Sequence, residues 1–83
     1  MHFKKYLIKI PEGYSEGMYL QRKYGITRTN FNAGKSIKIY AKELGGNDFI
    51  SLNYYITSTA YLLKPYEMSE TKVLDFLENV LIA

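Results

Sequence analysis

What most constrains this chain is an absence: its 83 residues include no cysteine. A domain of this length hides only roughly 60–65% of its extended-chain surface, and short domains often add disulfides or bound metals to compensate. Without a disulfide or a cysteine-bound metal, the fold must rest on the burial of its apolar residues, which make up 47% of the chain and include nine tyrosines and four phenylalanines. Tyrosine keeps a polar hydroxyl, so many of these rings belong at the edge of a core or on a binding surface. The same absence excludes whole classes of function. No thiol nucleophile exists. The only histidine, His2, lies beside the terminus, so neither a Ser-His-Asp arrangement nor a zinc site has a credible ligand or base.

The length fits one domain, residues 1–83. Residues 3–10 read as a first strand, with Tyr6, Ile8 and Ile10 on one face and Lys5 and Lys9 on the other. Pro11 to Gly17 reads as a loop, and residues 18–28 as a second strand with Leu20, Tyr24 and Ile26 aligned. Arg22 and Arg28 interrupt that apolar face, as an edge position or a bulge near Gly25 would allow. Residues 29–35 are turn-rich. Residues 36–44 fit two periods, a strand through Ile37, Ile39 and Ala41, or a helix through Ile37, Tyr40, Ala41 and Leu44. Gly45-Gly46 favours the helix, because glycine commonly follows the last helical residue.

Residues 48–57 form the clearest strand, with Ile50, Leu52, Tyr54 and Ile56 on one face. A short strand at 61–64 ends at Pro65. Ser69 then caps a helix whose stripe is Val73, Phe76, Leu77, Val80 and Leu81. The resulting ββαββα order predicts an α+β fold, a two-layer sandwich of a mainly antiparallel four-stranded sheet with two helices on one face.

No apolar run approaches the roughly 20 residues needed to span a bilayer. Residues 1–9 lack the apolar stretch and cleavage site of a signal peptide, so a cytoplasmic location and no membrane partner are expected. The formal net charge of +3 is mild, but it is unevenly distributed along the chain: residues 1–42 carry +7 and residues 43–83 carry −4. Such asymmetry suits an anion-binding face, and equally an attraction between halves or subunits.

Gly34-Lys35-Ser36 resembles the end of a phosphate-binding loop, although Thr29 stands where the motif needs glycine, and no nucleotide cofactor follows from it. A helix starting near Ser36 would still turn free N–H groups toward Lys35, Lys38 and Arg28, forming an anion site joined by Arg22 and Lys23. The alternative is that Ser36 simply caps a helix and the lysines face water. Basic residues also interleave with rings around Tyr19, Arg22, Lys23, Tyr24, Arg28 and Phe31, as on surfaces that stack bases, or as on an ordinary sheet edge. Tyr55 and Tyr61 could mark a self-association surface. For acid–base chemistry the local pairs are Glu43 with Asp48 and Glu67 with Glu70.

Four stretches carry a likeness to known proteins. They are Tyr24-Gly25-Ile26-Thr27-Arg28, Gly34-Lys35-Ser36 through Ala41, Glu43 through Ser51, and Leu63-Lys64-Pro65-Tyr66-Glu67-Met68. Together they resemble a family of short bacterial proteins of unestablished function, some labelled peptide methionine sulfoxide reductase. The thiol route to sulfoxide reduction requires a cysteine, so that activity does not carry over to this chain. The expectation is therefore a non-enzymatic binding module whose basic loop, residues 28–38, takes an anionic ligand, a nucleic acid or an acidic protein surface. The alternatives are a cysteine-free enzyme using Glu43, Asp48 or Glu67 with Lys35, and a structural homo-oligomer.

Overall fold

The computed structural model describes residues 4–83. A short helix, α1 (Lys4–Ile8), leads into a run of five strands: β1 (Gly13–Tyr19), β2 (Arg22–Phe31), β3 (Ser36–Glu43), β4 (Phe49–Ile56) and β5 (Tyr61–Pro65). Helix α2 (Glu70–Asn79) and a two-residue strand, β6 (Leu81–Ile82), close the described chain. The sheet has six antiparallel strands in the order β5-β4-β3-β2-β1-β6. Five follow one another directly, and only β6 returns to the far edge beside β1.

The fold is α+β with an antiparallel sheet and two helices, but four expectations about its elements change. The first strand expected at 3–10 is helical from Lys4, and Phe3 lies outside the described residues, as does His2. Burial decides this: Leu7 and Ile10 are buried while Ile8 is 62% exposed, a helical spacing rather than an alternation. The expected loop through Gly17 and strand at 18–28 are instead the two arms of a hairpin, with Tyr19 paired to Arg22. Its turn residues, Leu20 and Gln21, both adopt positive φ, at 52° and 63°. The turn-rich segment 29–35 is strand as far as Phe31, and only Asn32–Gly34 forms the turn.

The helix expected at 36–44 is strand β3, in which buried and exposed residues alternate without exception from Ile37 to Glu43. Gly45-Gly46 therefore ends a strand rather than a helix. Gly45 takes φ of +82° in the β3–β4 turn, and a β-carbon on Gly46 would stand 2.3 Å from the Glu43 carboxyl carbon. With these changes the four-stranded sheet becomes six-stranded and the ββαββα order is replaced.

The sheet's two faces differ sharply. On one, Tyr24, Ile26, Ile37, Ile39, Ala41, Ile50, Leu52 and Tyr54 pack beneath Leu7 and Ile10 and beneath Val73, Phe76, Leu77 and Val80. Helix α2 begins as its sequence predicts: Ser69 accepts from the Lys72 N–H at 3.2 Å, and Glu70 lies in the first turn. Leu81, expected on its stripe, is exposed because the helix stops at Asn79 and the chain turns into β6. No helix among the described residues is long and apolar enough to cross a membrane.

Candidate functional site

The turn ends of β1–β2 and β3–β4 enclose a cleft of about 340 Å³ lined by Leu20, Arg22, Tyr24, Glu43 and Asp48. Glu43 is 6% exposed, because Tyr24 pairs with it across the sheet and Gly46 folds over it. Its carboxylate accepts from Arg22 at 2.8 Å and from the Asp48 backbone N–H at 3.2 Å. Asp48 accepts from Lys72 at 2.6 Å and from the Tyr24 hydroxyl at 2.7 Å, and Tyr19 donates to Asp75.

The Lys72 hydrogen bond, then that of Tyr24, holds the Asp48 carboxyl below its usual range. Burial and the bond to Asp75 push Tyr19 up to about 12, and burial with the bond to Asp48 pushes Tyr24 up as well. The acid pair expected from sequence thus does meet. Each acid is held by fixed donors and Asp48 stays ionised near neutrality, which suits an electrostatic staple between sheet and helix better than proton transfer. Lys35 precedes the far end of β3, about 26 Å away at roughly 3.3 Å per residue, and Glu67 lies in the β5–α2 connection. Among the described residues, no group of three or more His, Asp or Glu is placed to hold a metal ion.

Among the described residues, no helix covers the opposite face of the sheet. The register aligns Tyr14, Glu16 and Met18 of β1 with Lys23, Thr27, Thr29 and Phe31 of β2. Beside them stand Ser36, Lys38, Tyr40 and Lys42 of β3, Phe49, Ser51, Asn53 and Tyr55 of β4, and Leu62 and Lys64 of β5. These side chains form crosswise rows. One row runs Leu62, Tyr55, Ser36, Phe31, and the next Lys64, Asn53, Lys38, Thr29. A third runs Ser51, Tyr40, Thr27, Tyr14, and then Phe49 stands beside Lys42. Tyr14, Phe31, Tyr40 and Tyr55 are exposed, and the Tyr40 and Phe49 rings stack with centroids 6.2 Å apart and planes 28° apart.

Four lysines and a single glutamate stand on this open face, a surplus equal to the whole formal charge of +3. The other seven cations and seven acids of the chain balance one another. Glu16 is also partly occupied, lying 3.6 Å from Lys23 and accepting from the Tyr14 hydroxyl at 3.0 Å.

The six basic-loop residues singled out in the sequence are divided between these regions. Lys23, Ser36 and Lys38 stand on the open face. Arg22 belongs to the cleft. Arg28 lies on the covered face, where its guanidinium donates to the carbonyls of Leu7 and Ile10 at 3.1 and 2.7 Å and ties down the end of α1. Lys35 is exposed at the β2–β3 turn, and its backbone N–H closes that turn onto Asn32.

Tyr19 and Tyr24, considered for stacking, are buried edge-on against Phe76. Of the pair considered for self-association, Tyr55 is on the open face, while Tyr61 stacks on Tyr54 at the covered side. Tyr14, Tyr40, Lys42, Phe49 and Lys64 were not singled out as a surface from sequence. The strand period read through 36–43 would have found the centre of it, since Ser36, Lys38, Tyr40 and Lys42 are every second residue. No protein-family description, curated protein or solved structure matches this chain.

Proposed function

We propose that the protein is a non-enzymatic binding module that holds an anionic ligand on the open face of its sheet. The observation that carries this reading is charge placement: four lysines against one glutamate stand, among exposed rings, on the sheet face that no helix among the described residues covers. Exposed aromatic rings clustered on a flat surface favour an interaction site over a solvated one. Lys38, Lys42 and Lys64 have no acid beside them on that face, so their charge is available to a ligand. The cleft ranks second because its charges already satisfy one another. A homo-oligomer formed by apposing two open faces ranks lower still, since two identical patches meeting about a two-fold axis would bring like charges together.

The test is an NMR titration of isotope-labelled protein with inorganic polyphosphate at low and moderate salt. Shifts centred on Lys38, Tyr40, Lys42 and Lys64 that weaken as salt rises support the reading. No shifts, or shifts confined to Arg22, Glu43 and Asp48, overturn it.

A further inference from the structure

We infer that the ligand of the open face is single-stranded nucleic acid, bound with bases stacked on the exposed rings and phosphates on the lysines between them. This rests on the reading of that face as an anion site and adds the chemistry of the ligand. An anion site alone needs cations only. Here the two cations of β3 have aromatic neighbours: Lys38 lies two residues before Tyr40, Lys42 two residues after it, and Lys42 pairs with Phe49. Same-face residues on one strand are about 7 Å apart and neighbouring strands about 4.8 Å apart, so ring and ammonium alternate over distances a nucleotide can bridge.

The Tyr40–Phe49 stack presents two rings that already support each other, which limits what ordering they lose on binding. Tyr55 and Phe31 form a second ring row on the far side of Lys38, so a strand crossing β3 meets rings, then ammonium, then rings. Thr27, Thr29 and Asn53 supply hydroxyl and amide groups in the same rows without adding charge. Stacking of this kind tolerates any base, since every base has a π-face. A duplex hides its base faces and would leave the rings unused, which selects the single strand.

The charge count sets the salt response. With three or four lysines engaged, log K falls against log salt with a slope of about −2 to −3, a weakening of roughly 20- to 50-fold between 50 and 200 mM.

The experiment compares a twelve-nucleotide oligothymidylate, its duplex with oligoadenylate, and inorganic polyphosphate of matched charge. Binding is followed by tyrosine fluorescence, which nine tyrosines and no tryptophan make direct, and by NMR shifts. We expect the single strand to bind more tightly than either competitor. Tyr40→Leu should weaken oligothymidylate about 10-fold, as loss of one stacked base does, and leave polyphosphate unchanged; Tyr55→Leu, on another strand, is the second variant should the first misfold. Lys38→Gln should weaken both ligands. If the single strand and polyphosphate bind equally and neither ring variant matters, the anion reading stands and the nucleic-acid inference falls. Tighter binding of the duplex also overturns the inference. If no ligand binds, both readings fall together.

Discussion

Ile39 and Tyr40 are consecutive residues of β3, and they live in different surroundings. Ile39 is fully buried under the helices, whereas Tyr40 is 42% exposed on the face that no helix among the described residues covers. The same contrast holds for the arginines and lysines one strand apart. Arg28 is spent on the carbonyls of Leu7 in α1 and of Ile10 just beyond it, while Lys38 across the β2–β3 ladder has no acid beside it. A period of two therefore sorts one stretch of sequence into a layer that makes the fold and a layer available to a ligand. Stability should be concentrated in the first and binding in the second.

The sharpest way to break that division is to truncate neighbours. Ile39→Ala should cost about 3 kcal/mol in urea unfolding, the usual loss for a buried branched residue, and Tyr40→Ala less, about 1 kcal/mol, since its ring is 42% exposed and packs on Phe49 at the surface. Equal losses would mean that the open face is itself part of the core. Next in size is the cation pair. Arg28→Ala should cost about 2 kcal/mol, because it leaves helix-end carbonyls without a charged donor, whereas Lys38→Ala should change stability by no more than about 0.5 kcal/mol.

The smallest effect concerns the staple at the sheet end. The folded Asp48 carboxyl titrates below its ordinary value of 3.8, so its stabilisation is complete above roughly pH 5 and is lost as pH falls through the lowered value. The difference in unfolding free energy between wild type and Asp48→Asn should thus be about 1 kcal/mol at neutral pH, solvent screening included, and should vanish on acidification. A difference that grows toward acid would place the sign, and the staple, in error.

The legible parts of the fold were those where one pattern fits alone. Ile50, Leu52, Tyr54 and Ile56 admit only a strand, and Ser69 with Val73, Phe76 and Leu77 admits only a capped helix. Strand β3 was hidden because Ile37, Tyr40, Ala41 and Leu44 also satisfy helical spacing, and the following glycines close a hairpin as readily as a helix. The β1–β2 hairpin was hidden for the opposite reason. Leu20-Gln21 carries none of the asparagine or glycine that usually marks a two-residue turn at positive φ, so tertiary pairing imposes what local preference does not. Helix α1 is a single turn, too short for periodicity to declare itself.

The candidate site was half legible for the same cause. Reading 36–44 as a helix rotates Tyr40 onto the face of Ile37 and breaks up the row of rings and lysines that the strand creates. Lys23, Ser36 and Lys38 were found by their charge and turn chemistry alone, and Arg28 was grouped with them only because sequence does not reveal that α1 folds back onto its guanidinium.

The excess of lysines on one face also bears on how the molecule would meet other molecules. With four lysines against one glutamate, that face draws the centre of positive charge toward itself and away from the centre of mass, so an approaching polyanion would exert a torque on the molecule as well as a pull. Within roughly a Debye length, about 8 Å at physiological salt, that torque would turn Lys38, Lys42 and Lys64 toward the polyanion before contact is made. If the proposed ligand binds there, fewer encounters would end with the wrong side in front, and the orientation search that usually slows docking would be shortened by the way the sheet divides its residues.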